Sequence, residues 1–461
     1  MNDKLIALFD IGKSNAKLLL VDAASGEPAW AQEIPNQGRR TELCLQLDVQ
    51  RLEQWLIEAL SRAPRKSEVR CIVPITHGAA IVLLDEAQQL LCAPDYEDPV
   101  YERDSEAYAA ARDDYAQTCS PLLPLGLNLG RQLYYLQHYQ SVMFRRCTRL
   151  LLYPQYWAWR LSGVLASEVT SLGCHTDLWR PTSAGYSVLA QRHGWSSLLP
   201  PIRGAAEKLG PLSPAMAQAT GLNPGCQVVC GIHDSNASYL SLLASWRQSE
   251  SFAAISSGTW VIIFSQGTPL SALREQADML ANVDAAARPV ATARFMGGRE
   301  FEAIAGSEGI AAISALDSAA VQRVLARGAL ALPSFASGGP YPGQRGELRQ
   351  AEGLTPVERA ALATLYVALM CDLRLDDLDS HQPLVIDGPL AGNPVFAAVL
   401  AAVRPHAPVY LADRRSGVIR GALRLAQPGL SFDPPAVASA PLALPALGAY
   451  REAWRSALPR S

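Results

Sequence analysis

The sequence predicts an α/β protein built as a duplicated half-molecule. Three observations carry this expectation. The chain has 461 residues, enough for two or three domains that each bury a core. Strand-like and helix-like patterns alternate in both halves. A strand–polar turn–strand unit also occurs twice, near residues 5–21 and again near 252–264. That recurrence marks a duplicated half-molecule, not a short-period array. The expected domains are 1–240 and 241–461.

The elements follow in order. Leu5–Phe9, Lys17–Val21 and Ala29–Ile34 are apolar runs separated by polar turns, which reads as a β-meander. Leu52, Leu56, Ile57 and Leu60 fall at helical spacing. Cys71–Pro74 and Ala80–Leu84 read as strands, with Thr76-His77-Gly78 in the turn between them. From about Gly130 to Leu165 the pattern is helical and aromatic. Gln227–Gly231, Phe252–Ser256 and Trp260–Phe264 are strand-like. Pro333–Gly346 is a long Pro/Gly-rich loop or lid. Leu354–Leu373 and Pro394–Val403 are helix-like, separated by the strand Leu384–Ile386 and the loop Asp387–Asn393.

Composition narrows the function. The 40 Lys+Arg nearly balance 43 Asp+Glu, giving a formal net charge of -3 with no long run of either sign. A nucleic-acid binder would show a basic excess or stripe, so that partner is not expected. No window approaches the ~18 uninterrupted apolar residues of a membrane helix, and Leu5–Phe9 is too short for a signal-peptide core. Nine scattered cysteines without a C-x-x-C pair indicate reduced thiols and a cytoplasmic protein. The pair Cys226/Cys230 lies in a strand-like segment and lacks partner cysteines for a metal.

Four segments could carry chemistry. In Asp10-Ile11-Gly12-Lys13-Ser14-Asn15-Ala16-Lys17, Gly12 permits close backbone approach, Ser14 adds a donor, and Lys13 and Lys17 add charge suited to phosphate oxygens. Asp10 could hold Mg²⁺, usually through water. The plainer reading is a hairpin turn whose Asp caps its own backbone. Ser256-Ser257-Gly258-Thr259 repeats the logic, and two such turns at matching places weigh more than one. Neither a Walker loop nor a G-x-G-x-x-G fingerprint is present. Gly231-Ile232-His233-Asp234 ends a buried strand, where Asp234 could accept a proton from a hydroxyl or simply start a helix. Asp387–Pro394 reads either as a loop approaching a flat ligand or as a plain connection with Asn393 as N-cap.

Taken in order, these segments resemble the FGGY carbohydrate kinases of the superfamily that joins sugar kinases, actin and heat-shock chaperones. Asp10–Lys17 resembles the first phosphate loop and Ser257-Gly258-Thr259 the second. Thr76-His77-Gly78 is similar to the sugar-side Gln-x-His-Gly segment, Leu150–Gly163 to a characteristic helix, and Gly231–Asp234 to the catalytic-base segment. Asp387–Pro394 looks like the adenosine loop, and Gly417–Ala422 like the closing helix beside the nucleotide.

The resemblance implies two actin-like (ribonuclease H-like) domains, with mixed sheets flanked by helices and the active site in the cleft between them. It implies ATP and Mg²⁺ as cofactors and transfer of the γ-phosphoryl group to a hydroxyl of a small sugar, with Asp234 as general base. Gly12, Lys13, Ser14, Asn15, Lys17, Ser257, Gly258, Thr259, Gly388, Pro389, Gly392 and Asn393 would then meet the nucleotide. Asp10 and Asp234 would hold the metal. Thr76, His77, Gly78, His175, Asp234, Trp260 and Arg299 are the expected sugar-side residues. The partner is a small-molecule sugar, and a homodimer is one open assembly state.

Departures from the family pattern bear on the substrate. Lys13 stands where many relatives have a small hydroxyl residue, and Thr76 replaces a common Gln. Ser235 follows the base in place of Gln or Thr, and Asp387-Gly388-Pro389 replaces a Gly-Gly-Gly run. The segments Thr170–Asp177 and Gly297–Glu300 are closest to the rhamnulokinase- and fuculokinase-like branch, which favours a deoxy-ketohexose or related ketose. The altered adenosine loop keeps open a non-catalytic nucleotide- or sugar-binding sensor. A superfamily ATPase of the chaperone or acyl-group kind is a third alternative.

Overall fold

The computed structural model describes residues 5–246, 250–413, 417–437 and 440–459. The chain forms two compact units. The first comprises Met1–Ala244, Ala281–Pro289 and Gly417–Ser431; the second comprises Ser245–Leu280, Val290–Ser416 and Phe432–Ser461. Two short returns thus join the first unit from beyond the boundary that the sequence set after residue 240.

The first unit is built on a seven-stranded mixed sheet. Leu5–Ile11 pairs antiparallel with Asn15–Asp22, which pairs with Pro28–Pro35, so the expected meander is present. On its other edge Leu5–Ile11 runs parallel to Val69–Thr76. Gln227–Val229 and Ile232–His233 both run parallel to that strand. Leu5, Ala7, Phe9 and Ile11 face one core, with Phe9 edge-on to Trp157 at 4.9 Å. Ile6 and Leu8 are buried on the opposite face. A strand covered on both sides needs apolar residues at every position, hence its unbroken apolar run. Asp10 ends the run on the face of Ile6 and Leu8, where the side chains alternate.

The helix over Val49–Arg62 forms as its spacing predicts, burying Val49, Leu52, Leu56, Ala59 and Leu60. The segment read as one helix over Leu150–Gly163 is corrected. Arg149–Leu152 is a strand paired with Ile81–Leu84, and the helix spans only Tyr153–Ser162. Pro154 explains the switch, since proline suits the first helical turn and is excluded from a helix interior. Thr76 is likewise strand, not turn.

The second unit repeats the grammar. Ala253–Ser257 pairs antiparallel with Val261–Ser265 and parallel with Leu384–Asp387. Val261–Ser265 pairs with Pro289–Phe295, and Leu384–Asp387 with Val409–Leu411. Pro356–Asp377 is a 22-residue helix buried around most of its circumference, as its apolar content requires. Thr355 and Glu358 form a capping box at its start.

Candidate active site

In the first unit three chain segments converge. Asp10 is the penultimate residue of the first strand, paired in register with Lys17 across the hairpin and with Ile75 on the other side. The backbone N–H of His77 donates to the Ile11 carbonyl (2.9 Å). This bond stitches the first turn to the Thr76-His77-Gly78 segment. Asn36 holds the turn from below: its Nδ2 donates to the Gly12 carbonyl (2.8 Å) and its N–H to the Ser14 carbonyl (2.8 Å). Asn36 went unnoticed in the sequence because nothing local marks an asparagine that reaches back 24 residues.

Asp234 opens the helix Asp234–Ser245. The strand before it is drawn tight at Gly231, whose φ is +92°. A Cβ there would lie 2.6 Å from the Pro74 carbonyl, so only glycine fits. Gln155 braces the same turn, donating to the carbonyls of Cys230 (3.1 Å) and Gly231 (3.3 Å). Asp234 Oδ1 accepts from the Ser235 N–H (2.6 Å) and lies 3.2 Å from His233 Nε2. Its Oδ2 has no protein partner among the described residues. One oxygen is therefore held and the other is not.

Behind Asp234 lies a buried carboxyl. Glu168 accepts from the Thr170 N–H (2.9 Å) and hydroxyl (2.5 Å), and the Thr170 oxygen in turn accepts from the His233 N–H (3.2 Å). Burial pushes the Glu168 carboxyl up to about 7 against the opposing pull of the Thr170 hydrogen bonds.

Asp10 is likewise pushed up to about 7, by burial first and then by the negative charge of Asp234, while Lys17 pulls the other way. A carboxyl whose ionisation a neighbouring negative charge opposes marks a place where a divalent cation would relieve the repulsion. The hard oxygen donors of Asp10 and Asp234 suit Mg²⁺, which keeps waters and takes one or two carboxylates plus phosphate. Among the described residues no group of three or more His, Cys, Asp or Glu could hold a metal. All nine cysteines are buried and unbridged.

The remaining first-unit candidates separate. Ser14 is exposed on the turn, and Asn15 and Lys17 are exposed at the start of the next strand, with Lys17 3.5 Å from Glu33. Lys13 is turned away to Asp95. The Thr76 hydroxyl donates to the His77 carbonyl (3.0 Å). His77 is buried, with Nδ1 2.8 Å from the Gly78 carbonyl and Nε2 lacking a partner among the described residues. Burial lowers its pKa. His233 packs over Gly78, where a Cβ would meet Nε2 at 2.8 Å. His175 sits in a different neighbourhood, its Nδ1 2.8 Å from the Leu127 carbonyl.

In the second unit, the Ser257 turn and the Asp387 loop interlock. Ser257 Oγ donates to the Asp387 carbonyl (2.6 Å) and accepts from the Leu390 N–H (3.0 Å). Gly388, at φ +82°, lies where a Cβ would strike the Ser257 carbonyl at 2.1 Å. Gly258 and Thr259 are exposed at the turn, as are Gly388, Pro389 and Gly392 on the loop. Asn393 turns inward instead. Its Oδ1 accepts from the Val395 and Phe396 N–H groups, and its Nδ2 donates to Thr364. Trp260 carries the Arg294 guanidinium over its ring at 4.7 Å, and Arg299 is exposed in the first turn of Gly297–Ala311.

Residues 249–434 match the family described as carbohydrate kinase FGGY, C-terminal domain. The crystal structure of a carbohydrate kinase from Novosphingobium aromaticivorans is similar over 99% of this chain and 98% of its own, at 37% identity and a TM-score of 0.89. A ligand-bound xylulose kinase from Lactobacillus acidophilus shares the fold at 15% identity and a TM-score of 0.78, over 98% of this chain and 96% of its own. An L-fuculokinase of Haemophilus influenzae is 28% identical over 141 residues, which span 29% of this chain and 28% of that protein.

Proposed function

The chain belongs to the FGGY carbohydrate kinase family, and from that premise we propose that it transfers the γ-phosphoryl group of ATP to a hydroxyl of a small ketose. A deoxy-ketohexose or a pentulose is the acceptor class favoured. The observation that carries this reading is Asp234, with Oδ1 fixed by Ser235 and Oδ2 unengaged. The likeness of 141 residues to an L-fuculokinase supports the deoxy-ketohexose side of the class.

The roles follow from position. Asp234 Oδ2 accepts the proton of the attacking hydroxyl and keeps that oxygen in line with the phosphorus. The Gly12 turn and the Ser257-Gly258-Thr259 turn offer backbone N–H groups to phosphate oxygens. The Gly388 loop offers a bare backbone against which a purine can lie. When bound with the nucleotide, Mg²⁺ neutralises charge on the β- and γ-phosphates, and Asp10 and Asp234 are the residues that would hold it. His77 Nε2, buried and without a partner among the described residues, would take a hydroxyl of the acceptor.

The test is ADP release with Mg·ATP against L-rhamnulose, L-fuculose, D- and L-xylulose, D-ribulose, erythritol and glycerol. Turnover is expected with one ketose and lost by about 10²-fold or more in Asp234→Asn, the range for a positioned general base. Full activity in that variant overturns the role of Asp234. Saturable binding of a sugar without ADP release would favour a sensor instead.

A further inference from the structure

Lys13 has the charge of a phosphate ligand but is committed elsewhere. Its Nζ donates to both oxygens of Asp95, at 2.6 and 2.5 Å, and lies 3.3 Å from Glu97. It also sits 5.0 Å from the centroid of the Tyr96 ring. The Asp95 side chain is fully buried, so the pair is desolvated on the acid's side. Breaking such a pair leaves an uncompensated buried charge.

The segment that grips Lys13 is a built strap. The Asp95 N–H donates to the Leu45 carbonyl (3.0 Å), and Asp95 Oδ1 also accepts from the Glu97 N–H (3.1 Å). Asp98 accepts from Arg40 and from the Leu45 N–H. The Tyr96 carbonyl accepts from the Gly126 N–H (2.8 Å). The Tyr96 ring then meets His77 edge-on at 5.9 Å, with Tyr153 5.3 Å from the same imidazole. The strap therefore supplies one of the two rings against His77, whose Nε2 has no partner among the described residues.

We infer that Lys13 is not a phosphate ligand but the tether that holds the 94–98 strap beside His77, and that Asp95 and Tyr96 determine which acceptor sugar is accepted. This rests on the kinase reading for its substrate but on the Lys13–Asp95 geometry for its mechanism. Lys13 and Asp95 are positioning residues, acting on the acceptor through Tyr96 and His77.

The experiment compares Lys13→Met, Asp95→Asn, the double variant and the conservative Lys13→Arg in the full chain. Three readouts are taken: the Kd for Mg·ADP by calorimetry, the KM and kcat for the best ketose of the panel above, and hydrogen exchange of peptides covering 93–98. Lys13→Met and Asp95→Asn are each expected to raise the acceptor KM about tenfold and to speed exchange in the strap. The Mg·ADP Kd should stay within about twofold, the double variant should be no worse than either single, and Lys13→Arg should restore the acceptor KM. A tenfold loss of Mg·ADP affinity in Lys13→Met, with strap exchange unchanged, would make Lys13 a phosphate ligand and overturn the inference. So would Asp95→Asn behaving as wild type. If the wild-type protein turns over no acceptor, the kinase reading fails by that result, and the tether then stands or falls on strap exchange alone.

Discussion

Asp234 and Glu168 show how one site uses two carboxyls differently. Asp234 opens a helix and is partly exposed, with one oxygen pinned by Ser235. Glu168 is wholly buried and serves as an acceptor for Thr170, which carries the hydrogen bond on to the His233 N–H. Because burial raises Glu168 from 4.5 to about 7, the folded protein keeps a proton that the unfolded chain releases in that window. Its contribution to stability is full below about pH 4.5 and is lost as pH rises toward 7. At most it is worth about 3 kcal/mol. Glu168→Gln mimics the protonated acid, so its unfolding free energy should fall less between pH 5 and 7.5 than that of the wild type. Urea unfolding at the two pH values checks this, and parallel losses in both proteins would contradict it.

At the same scale, legibility was uneven. Asp10 and Asp234 could be read from the sequence because each ends an apolar run beside a small-residue turn, and that local grammar is visible in one dimension. Asn36, Asp95 and Glu168 could not, since each acts on a turn that tertiary folding brings to it. Lys13 was read for its charge alone; only the fold shows that Asp95, 82 residues away, takes that charge.

Among elements, the helices Asp234–Ser245 and Gly417–Ala426 meet at unusually short range. A Cβ on Gly421 would lie 1.9 Å from the Ala237 carbonyl, inside the first turn after the proposed base. Gly421→Ala must push that helix aside, and overpacking of this kind costs roughly 1–3 kcal/mol. The variant should melt several degrees lower and lose kcat, because Asp234 rides on the displaced helix. Gly429→Ala is the control: its Cβ would meet nothing within 4 Å, and its melting temperature should match the wild type. Equal melting of the two variants would contradict the packing argument.

Most strands and long helices were legible because their periodicities of 2 and 3.6 survive in the sequence. The helix at Tyr153–Ser162 was overextended by three residues, since Leu150–Leu152 are as apolar as a helix face. Their pairing with Ile81–Leu84 is a non-local fact. The four-residue helix Val169–Leu172 was missed altogether, being too short to show a period and defined by its Glu168 cap. The Pro333–Gly346 loop is more engaged than its composition suggests. The Phe335 N–H donates to Glu300 (3.0 Å), and the Gly339 N–H donates to Asp278 (3.1 Å).

For the whole molecule, the duplicated strand–turn–strand unit proved the most informative feature of the sequence. It placed two polar turns at the ends of matching strands, Leu5–Ile11 and Ala253–Ser257, and each strand has an antiparallel and a parallel neighbour. The returns of Ala281–Pro289 and Gly417–Ser431 to the first unit left no such mark, because a chain can cross between compact units without any shift in composition. Among the described residues no helix is long and apolar enough to cross a membrane.

The central claim is that phosphate leaves ATP for an alcohol and not for water. Phosphorus NMR of the protein with Mg·ATP and the ketose panel tests it directly. A new phosphomonoester resonance should grow in step with ADP and be absent in Asp234→Asn. Inorganic phosphate appearing alone, at a rate indifferent to the sugar, would contradict it and assign the protein to ATP hydrolysis.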